Sequence, residues 1–176
     1  VNRSFFNVPA PSYFITVDYT FFKTLSFPDR NFLLKYETQK IFVADFSTGD
    51  LLIENNTIKD VRCNLTYEIE KYGINKVIIA QKERGIGDSF ESFCTGRNSG
   101  YCALQLAVLL GFTRIYLLGI DLTCRITMTH YHKQYRNVSK QFRNNLDRYF
   151  DYFKEGIEQI KKERKDIKIY SCSPSS

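Results

Sequence analysis

The stretch from Asn98 to Ile120 constrains this chain more than any other part of its sequence. Ser99 has the side chain of a helix cap, Ala103 to Leu110 is apolar nearly all round, and Gly111 follows as a stop. Arg114-Ile115-Tyr116-Leu117-Leu118 comes next as a short apolar run with the character of a buried strand. A helix with so little polar surface needs cover on most sides, and a short glycine turn lays the strand back against it. That is the αβ unit of a largely parallel sheet with helices on both faces, and it predicts an α/β fold. Ligands in such sheets bind at the carboxyl ends of the strands. Gly119, Ile120 and Asp121, with the loop from Leu122 to Tyr135, are therefore expected at the functional edge.

The remaining pattern extends the same plan. A strand is predicted at about Tyr13 to Val17, ending on Asp18, and the spacing of Phe21, Phe22 and Leu25, then of Phe32, Leu33 and Leu34, predicts short helices. Ile41 to Ala44 and Lys76 to Ala80 have the length and branching of buried strands. Between them, Ser47 to Asn75 is polar and turn-rich, which predicts loops and a small hairpin. Phe142, Leu146, Tyr149, Phe150, Phe153, Ile157 and Ile160 recur at helical spacing, so one long amphipathic helix is expected, with this stripe in the core. A strand from Ile167 to Tyr170 follows, and then small polar residues, Ser173 and Ser175 among them, which read as positioned for a ligand at another carboxyl edge or simply as a terminus.

Bulk properties narrow the class. A chain of 176 residues fits a single domain, 1–176. Cysteines stand at 63, 94, 102, 124 and 172, an odd number with no CxxC pair or zinc-type spacing, and read as reduced thiols in a cytoplasmic setting. Asn2, Asn55, Asn64 and Asn137 begin Asn-x-Ser/Thr triplets, which without a secretory signal read as chance matches. No run approaches the roughly 18 apolar residues of a membrane span, which leaves peripheral association at the inner face of the membrane. The net charge of +6 and pI near 9.0 permit an anionic partner. The densest basic run, however, is Lys161-Lys162-Glu163-Arg164-Lys165 at a helix C-terminus, where cations are favoured anyway. It reads as a solvated face, and no nucleic-acid partner is expected. Oligomerisation stays open.

Three groups of residues have chemistry to offer. A helix N-terminus carries unpaired amides and a partial positive charge, so Gly96, Asn98, Ser99 and Gly100 are candidates to hold a phosphate, with Arg97 adding a charge-assisted bond. The turn is neither a Walker loop nor GxGxxG, and an ordinary capped helix has the same sequence. The second group, Thr129-His130-Tyr131-His132, holds both histidines of the chain. Histidine is suited to proton transfer near neutral pH, and a general base ranks above a metal ligand because no third ligand stands nearby. Tyr131, Tyr135 and Tyr116 are candidate hydroxyl donors to a phosphate without a metal. The third group is acidic: Asp18, Asp45, Asp50 and Asp121 lie near strand ends or in the loops after them, with no Asp-x-Asp pair, and Asp121 suits a ribose hydroxyl or a histidine.

Ser99-Gly100-Tyr101-Cys102-Ala103, Leu110-Gly111-Phe112 and Ile115-Tyr116-Leu117-Leu118-Gly119-Ile120-Asp121, taken together, resemble the core of the bacterial sialyltransferases that decorate lipooligosaccharides. They are similar as well to a group related to the archaeal 6-hydroxymethylpterin diphosphokinases, in which such a core precedes a His-aromatic pair like His130-Tyr131. The segment Ile169 to Ser176 resembles the closing strand and Cys-Pro-polar-Ser segment of the sialyltransferases, and Val1-Asn2-Arg3 with Tyr13 to Asp18 resembles the second strand region of both. The resemblance implies a Rossmann-like three-layer α/β/α fold with a mainly parallel sheet. It also implies a chain truncated at its N-terminus, the first strand and its Gly-rich loop lying upstream of Val1. The implied activity is metal-free transfer of a sugar from a nucleotide sugar, most simply a CMP-sugar, to a glycan acceptor, with no tightly bound cofactor. By position, Asn2 would meet the nucleotide, Asn98, Ser99 and Gly100 the donor, Tyr131 the phosphate, and His130 or His132 the acceptor hydroxyl. The second family implies instead magnesium-dependent pyrophosphoryl transfer from ATP. A remnant that binds nucleotide without turnover is a third reading.

Overall fold

The computed structural model describes residues 7–18, 20–45, 51–54, 57–60, 65–120 and 140–172. In chain order they form β1 (Tyr13–Thr16), α1 (Thr20–Lys23), α2 (Phe27–Lys35), β2 (Gln39–Asp45), β3 (Leu51–Glu54), β4 (Thr57–Asp60), β5 (Leu65–Glu68), a 3-10 turn (Ile69–Tyr72), β6 (Lys76–Ala80), α3 (Ser99–Leu109), β7 (Arg114–Leu117), α4 (Lys140–Glu163) and β8 (Lys168–Ser171). The fold is mixed α/β, with strands that are mainly parallel and gathered in small sheets. β1, β2 and β6 pair in that order, all parallel, and β7 pairs with β8 in parallel. Where the polarity of 47–75 predicts loops and a small hairpin, the described residues form an antiparallel meander of β3, β4 and β5.

Side-chain alternation explains how the first parallel sheet is buried. Phe14, Phe42 and Ala44 point to one face, where Phe21 and Phe22 of α1 and Leu33 of α2 cover them. Ile15, Ile41, Val43, Ile78 and Ala80 point to the other and meet Phe93, Cys102 and Leu106. α2 begins on a capping box, with Asp29 N donating to Ser26 Oγ and Ser26 N donating to Asp29 Oδ2.

α3 joins the two parallel sheets. Cys102 and Leu106 lie on the β1-β2-β6 side, whereas Tyr101, Leu104 and Val108 pack with Ile115 of β7 and with Tyr152, Phe153 and Ile160 of α4. The helix ends as Gly111 predicts: at φ +80 its N–H donates to Val108 O and the Phe112 N–H to Ala107 O, the paired bonds of a left-handed C-terminal cap. The apolar stripe of α4 needs one correction. Phe153 and Ile160 are buried, and so is Tyr152, which the stripe leaves out, but Phe150 is 56% exposed, because one residue after Tyr149 the helix has turned about 100° away from the core.

Candidate functional site

The carboxyl ends of β1 and β6 converge on the N-terminus of α3. After β6 the chain runs beside the segment that leads into α3: Gln81 N donates to Phe93 O, Thr95 N to Lys82 O and Gly96 N to Glu83 O. This parallel stitch fixes the turn Thr95 to Gly100 against the sheet. On its other side, Ser99 Oγ accepts from Val17 N at 3.2 Å and lies 3.5 Å from Thr16 Oγ1, which ties the end of β1 to the start of the helix.

That tie corrects the helix cap. The sequence points to Ser99, but Ser99 is the first helical residue, and the cap is Asn98, in extended conformation, accepting from Gly100 N at 2.8 Å and Tyr101 N at 3.2 Å. The amides of Gly96 and Asn98 also donate within the protein, to Glu83 O and Thr95 O. Three of the four amides expected to face a phosphate, those of Gly96, Asn98 and Gly100, are thus engaged within the protein, by Glu83 O and by the turn itself. What the turn presents instead is side chains.

Arg97 is the foremost of these. Its backbone sits at φ +46, a left-handed conformation that costs a non-glycine residue roughly 1 kcal/mol or more, and its guanidinium pairs with Glu83. The Tyr152 hydroxyl of α4 donates to the second oxygen of the same carboxylate at 2.7 Å. Burial, reinforced by Glu83, pushes the Tyr152 phenol above its usual range. Burial also raises Tyr149, one turn earlier on α4, and the charges acting on it include those of Arg148, Arg97 and Asp18. Asp18 in turn accepts from Phe21 N at the start of α1. One sheet edge therefore collects a cation, two carboxylates, two phenols and a hydroxyl.

The turn is built tightly around Tyr101, which is fully buried and donates to Gly85 O at 2.6 Å. A Cβ on Gly96, at φ +50, would collide with the Tyr101 ring, and one on Gly100 would stand 3.0 Å from both Asn98 Oδ1 and Ile120 Cδ1. Gly96 and Gly100 therefore have packing reasons to be glycine. The second contact also seats Ile120, after β7, beside the N-terminus of α3, as the sequence expects for the end of that strand.

Asn2, Asp121, His130, Tyr131, His132, Ser173 and Ser175 lie outside the described residues, as do Asp50 and Tyr135. Tyr116 is described: it stacks on Tyr170 at a centroid distance of 4.9 Å on the sheet surface. Glu83, Tyr149 and Tyr152 went unrecognised in the sequence. Glu83 follows the carboxyl end of β6, the one signal that marks it; Tyr149 reads as part of the core stripe of α4, and Tyr152 lies outside that stripe with nothing in the sequence to single it out. An apolar recess of about 140 Å³, lined by Tyr13, Ile15, Ala103, Leu106, Ala107 and Leu110 among others, lies at the opposite ends of β1 and α3. It has no charge to offer a phosphate. Among the described residues no group of three or more His, Cys, Asp or Glu side chains is placed to hold a metal ion, and no helix is long and apolar enough to cross a membrane. Cys94, Cys102 and Cys172 are free thiols. No protein family, curated protein or solved structure matches this chain.

Proposed function

We propose that this edge binds the phosphate of a nucleotide sugar and that the protein is a glycosyltransferase of sialyltransferase-like type, with a CMP-sugar as donor. The observation that carries the reading is Arg97: an arginine held in a strained left-handed conformation at the positive end of α3, at the carboxyl edge of a parallel sheet, and paired with a carboxylate that a phosphate can replace. The fold proposed with it is Rossmann-like and three-layered. Its support is that α1 and α2 pack on one face of β1-β2-β6 and α3 on the other, while α3 also reaches β7. The undescribed stretches 121–139 and 173–176 both follow strands of the β7-β8 pair, so His130, Tyr131, His132 and Ser173 are proposed to work at this same edge.

In the proposed reaction an acceptor hydroxyl loses its proton to the imidazole of His130 or His132 as its oxygen attacks the anomeric carbon. The bond from that carbon to the donor phosphate breaks, and its electron pair leaves on the phosphate oxygen. Arg97 and the Tyr131 hydroxyl offset the charge that develops there, a role that needs no metal.

The test is thermal stabilisation by CMP, CDP, UDP, GDP and ATP, each with and without magnesium. A ligand at about one hundred times its Kd stabilises the native state by about 2.7 kcal/mol, a rise in Tm of roughly 5–10 °C for a chain of this size. CMP is expected to give that rise without metal, and Arg97→Ala to abolish it. Stabilisation by ATP only with magnesium would support pyrophosphoryl transfer instead, and no shift with any of the five would refute nucleotide binding.

A further inference from the structure

The two faces of the β7-β8 sheet are treated differently. Ile115, Leu117 and Ile169 point inward and pack with α3 and α4. The other face carries Arg114 and Tyr116 along β7, with exposed Leu118 just past its end, and Lys168 and Tyr170 along β8, in the register Arg114 opposite Lys168 and Tyr116 opposite Tyr170. Among the described residues nothing covers this face: Tyr116 is 58% exposed, Tyr170 40% and Leu118 76%, with the two tyrosine rings stacked at 14°. Parallel strands are ordinarily covered on both faces, because the crossover helices that join them lie there.

A second observation says what kind of cover fits. Arg114 and Lys168 are like charges set directly across a strand pair, an arrangement that destabilises a sheet. Both are exposed, and neither side chain forms an ion pair or hydrogen bond among the described residues. The face thus has an apolar aromatic part toward the carboxyl ends of its strands and an uncompensated pair of cations at their amino ends.

We propose that this face seats an amphipathic helix of a partner protein, with carboxylates in its last turn. Arg114 to Leu118 spans about 13 Å of strand, which about nine residues of helix match at 1.5 Å per residue. Apolar side chains at i, i+3 and i+7 cover Leu118, Tyr116 and Tyr170 in passing, and acidic residues in the last turn reach Arg114 and Lys168. The helix runs antiparallel to the strands, so the negative end of its dipole also points at the cation pair. A second copy of this chain fits less well, because it brings two further cations to the same interface.

The probe is a fluorescein-labelled 14-residue amphipathic peptide with leucines at i, i+3 and i+7 and two glutamates in its last turn, compared by fluorescence anisotropy with the same peptide carrying lysines there. The wild-type chain is expected to bind the glutamate peptide at least ten times more tightly. Arg114→Glu with Lys168→Glu should invert that preference, and Tyr116→Ser should weaken binding of the glutamate peptide several-fold. Circular dichroism establishes that each variant is folded, and Arg114→Gln serves as a milder change should the double reversal unfold; it should narrow the preference. Equal affinity for the two peptides, or a preference unmoved by the charge changes, would overturn the proposal. So would concentration-dependent self-association that Tyr116→Ser abolishes, or capture by anionic phospholipid vesicles with no binding of either peptide. The inference does not depend on the sugar-transfer reading, which gives no role to Arg114, Leu118, Lys168 or Tyr170 and assigns the phosphate to Arg97 and Tyr131, leaving Tyr116 stacked on Tyr170.

Discussion

Gly156 in α4 faces the hydroxyl of Tyr101, and the pair offers a test of how the candidate site is held in place. A Cβ built on Gly156 would stand 2.5 Å from Tyr101 Oη, 3.0 Å from Cε2 and 3.1 Å from Cζ. Tyr101 cannot retreat, because it is fully buried, donates to Gly85 O at 2.6 Å and meets Phe153 edge-on at 5.3 Å. Gly156→Ala gains about 1 kcal/mol of helix propensity but forces an overpacking cost of about 1–3 kcal/mol, so a net loss of about 1 kcal/mol is expected. Tyr101→Phe removes the bond to Gly85 and leaves a carbonyl short of a partner, a loss of about 1–2 kcal/mol. The combined variant should lose about 1 kcal/mol less than the two losses added, because the oxygen that the new methyl group would strike is no longer there. Urea unfolding followed by far-ultraviolet circular dichroism measures all four corners of the cycle. Additivity within about 0.5 kcal/mol would show that Gly156 does not make room for the hydroxyl, and the reasoning would fail.

Two further expectations concern the same cluster. Arg97→Gly and Arg97→Ala both lose the partly exposed pair with Glu83, worth about 0–1 kcal/mol, but only glycine relieves the left-handed backbone at φ +46. After allowance for the greater freedom of glycine in the unfolded chain, the glycine variant should be more stable than the alanine variant by about 0.5–1 kcal/mol; the reverse order in urea unfolding would contradict the strain. Burial raises the phenols of Tyr101, Tyr149 and Tyr152, so these groups stay protonated in the folded chain where the unfolded chain has begun to ionise. Their contribution to stability is complete below about pH 10 and is lost as the pH rises beyond it. Tyr101→Phe should flatten that alkaline fall by up to about 1.4 kcal/mol per pH unit, and an unchanged slope would mean that Tyr101 ionises alike in both states.

Much of the framework is legible in the sequence because it is decided locally. The apolar periodicity of α3 and α4, the stop at Gly111 and the branched runs of β2 and β6 each need only neighbouring residues to define them. The cap of α3 is read one residue late for a physical reason. Asn98 and Ser99 are both capping types, and the choice is settled by Val17, whose amide takes the Ser99 hydroxyl from 82 residues away. The meander of β3, β4 and β5 hides in a polar stretch without a strong alternation, so composition reads as loop. Glu83 and Tyr152 illustrate the harder case. Tyr152 belongs to the core by its ring and to the site by its hydroxyl, and the helical stripe in the sequence, which runs through Tyr149 and Phe153, displays neither.

The same cluster changes how the turn at Thr95 to Gly100 can hold an anion. A helix N-terminus recognises phosphate through free amides, but here that of Gly96 donates to Glu83 O, that of Asn98 to Thr95 O and that of Gly100 to Asn98 Oδ1. On the proposed reading, specificity must then come from the Arg97 guanidinium exchanging one carboxylate for a phosphate. Such an exchange needs Glu83 to stay in place when its partner leaves, since a displaced, partly buried carboxylate would forfeit what the phosphate gains. Tyr152 supplies that hold, with a short hydrogen bond to the oxygen that Arg97 does not use. Because α4 carries Tyr152, the helix that closes the core also steadies the site, so changes in α4 packing and in ligand affinity are tied to each other through one phenol.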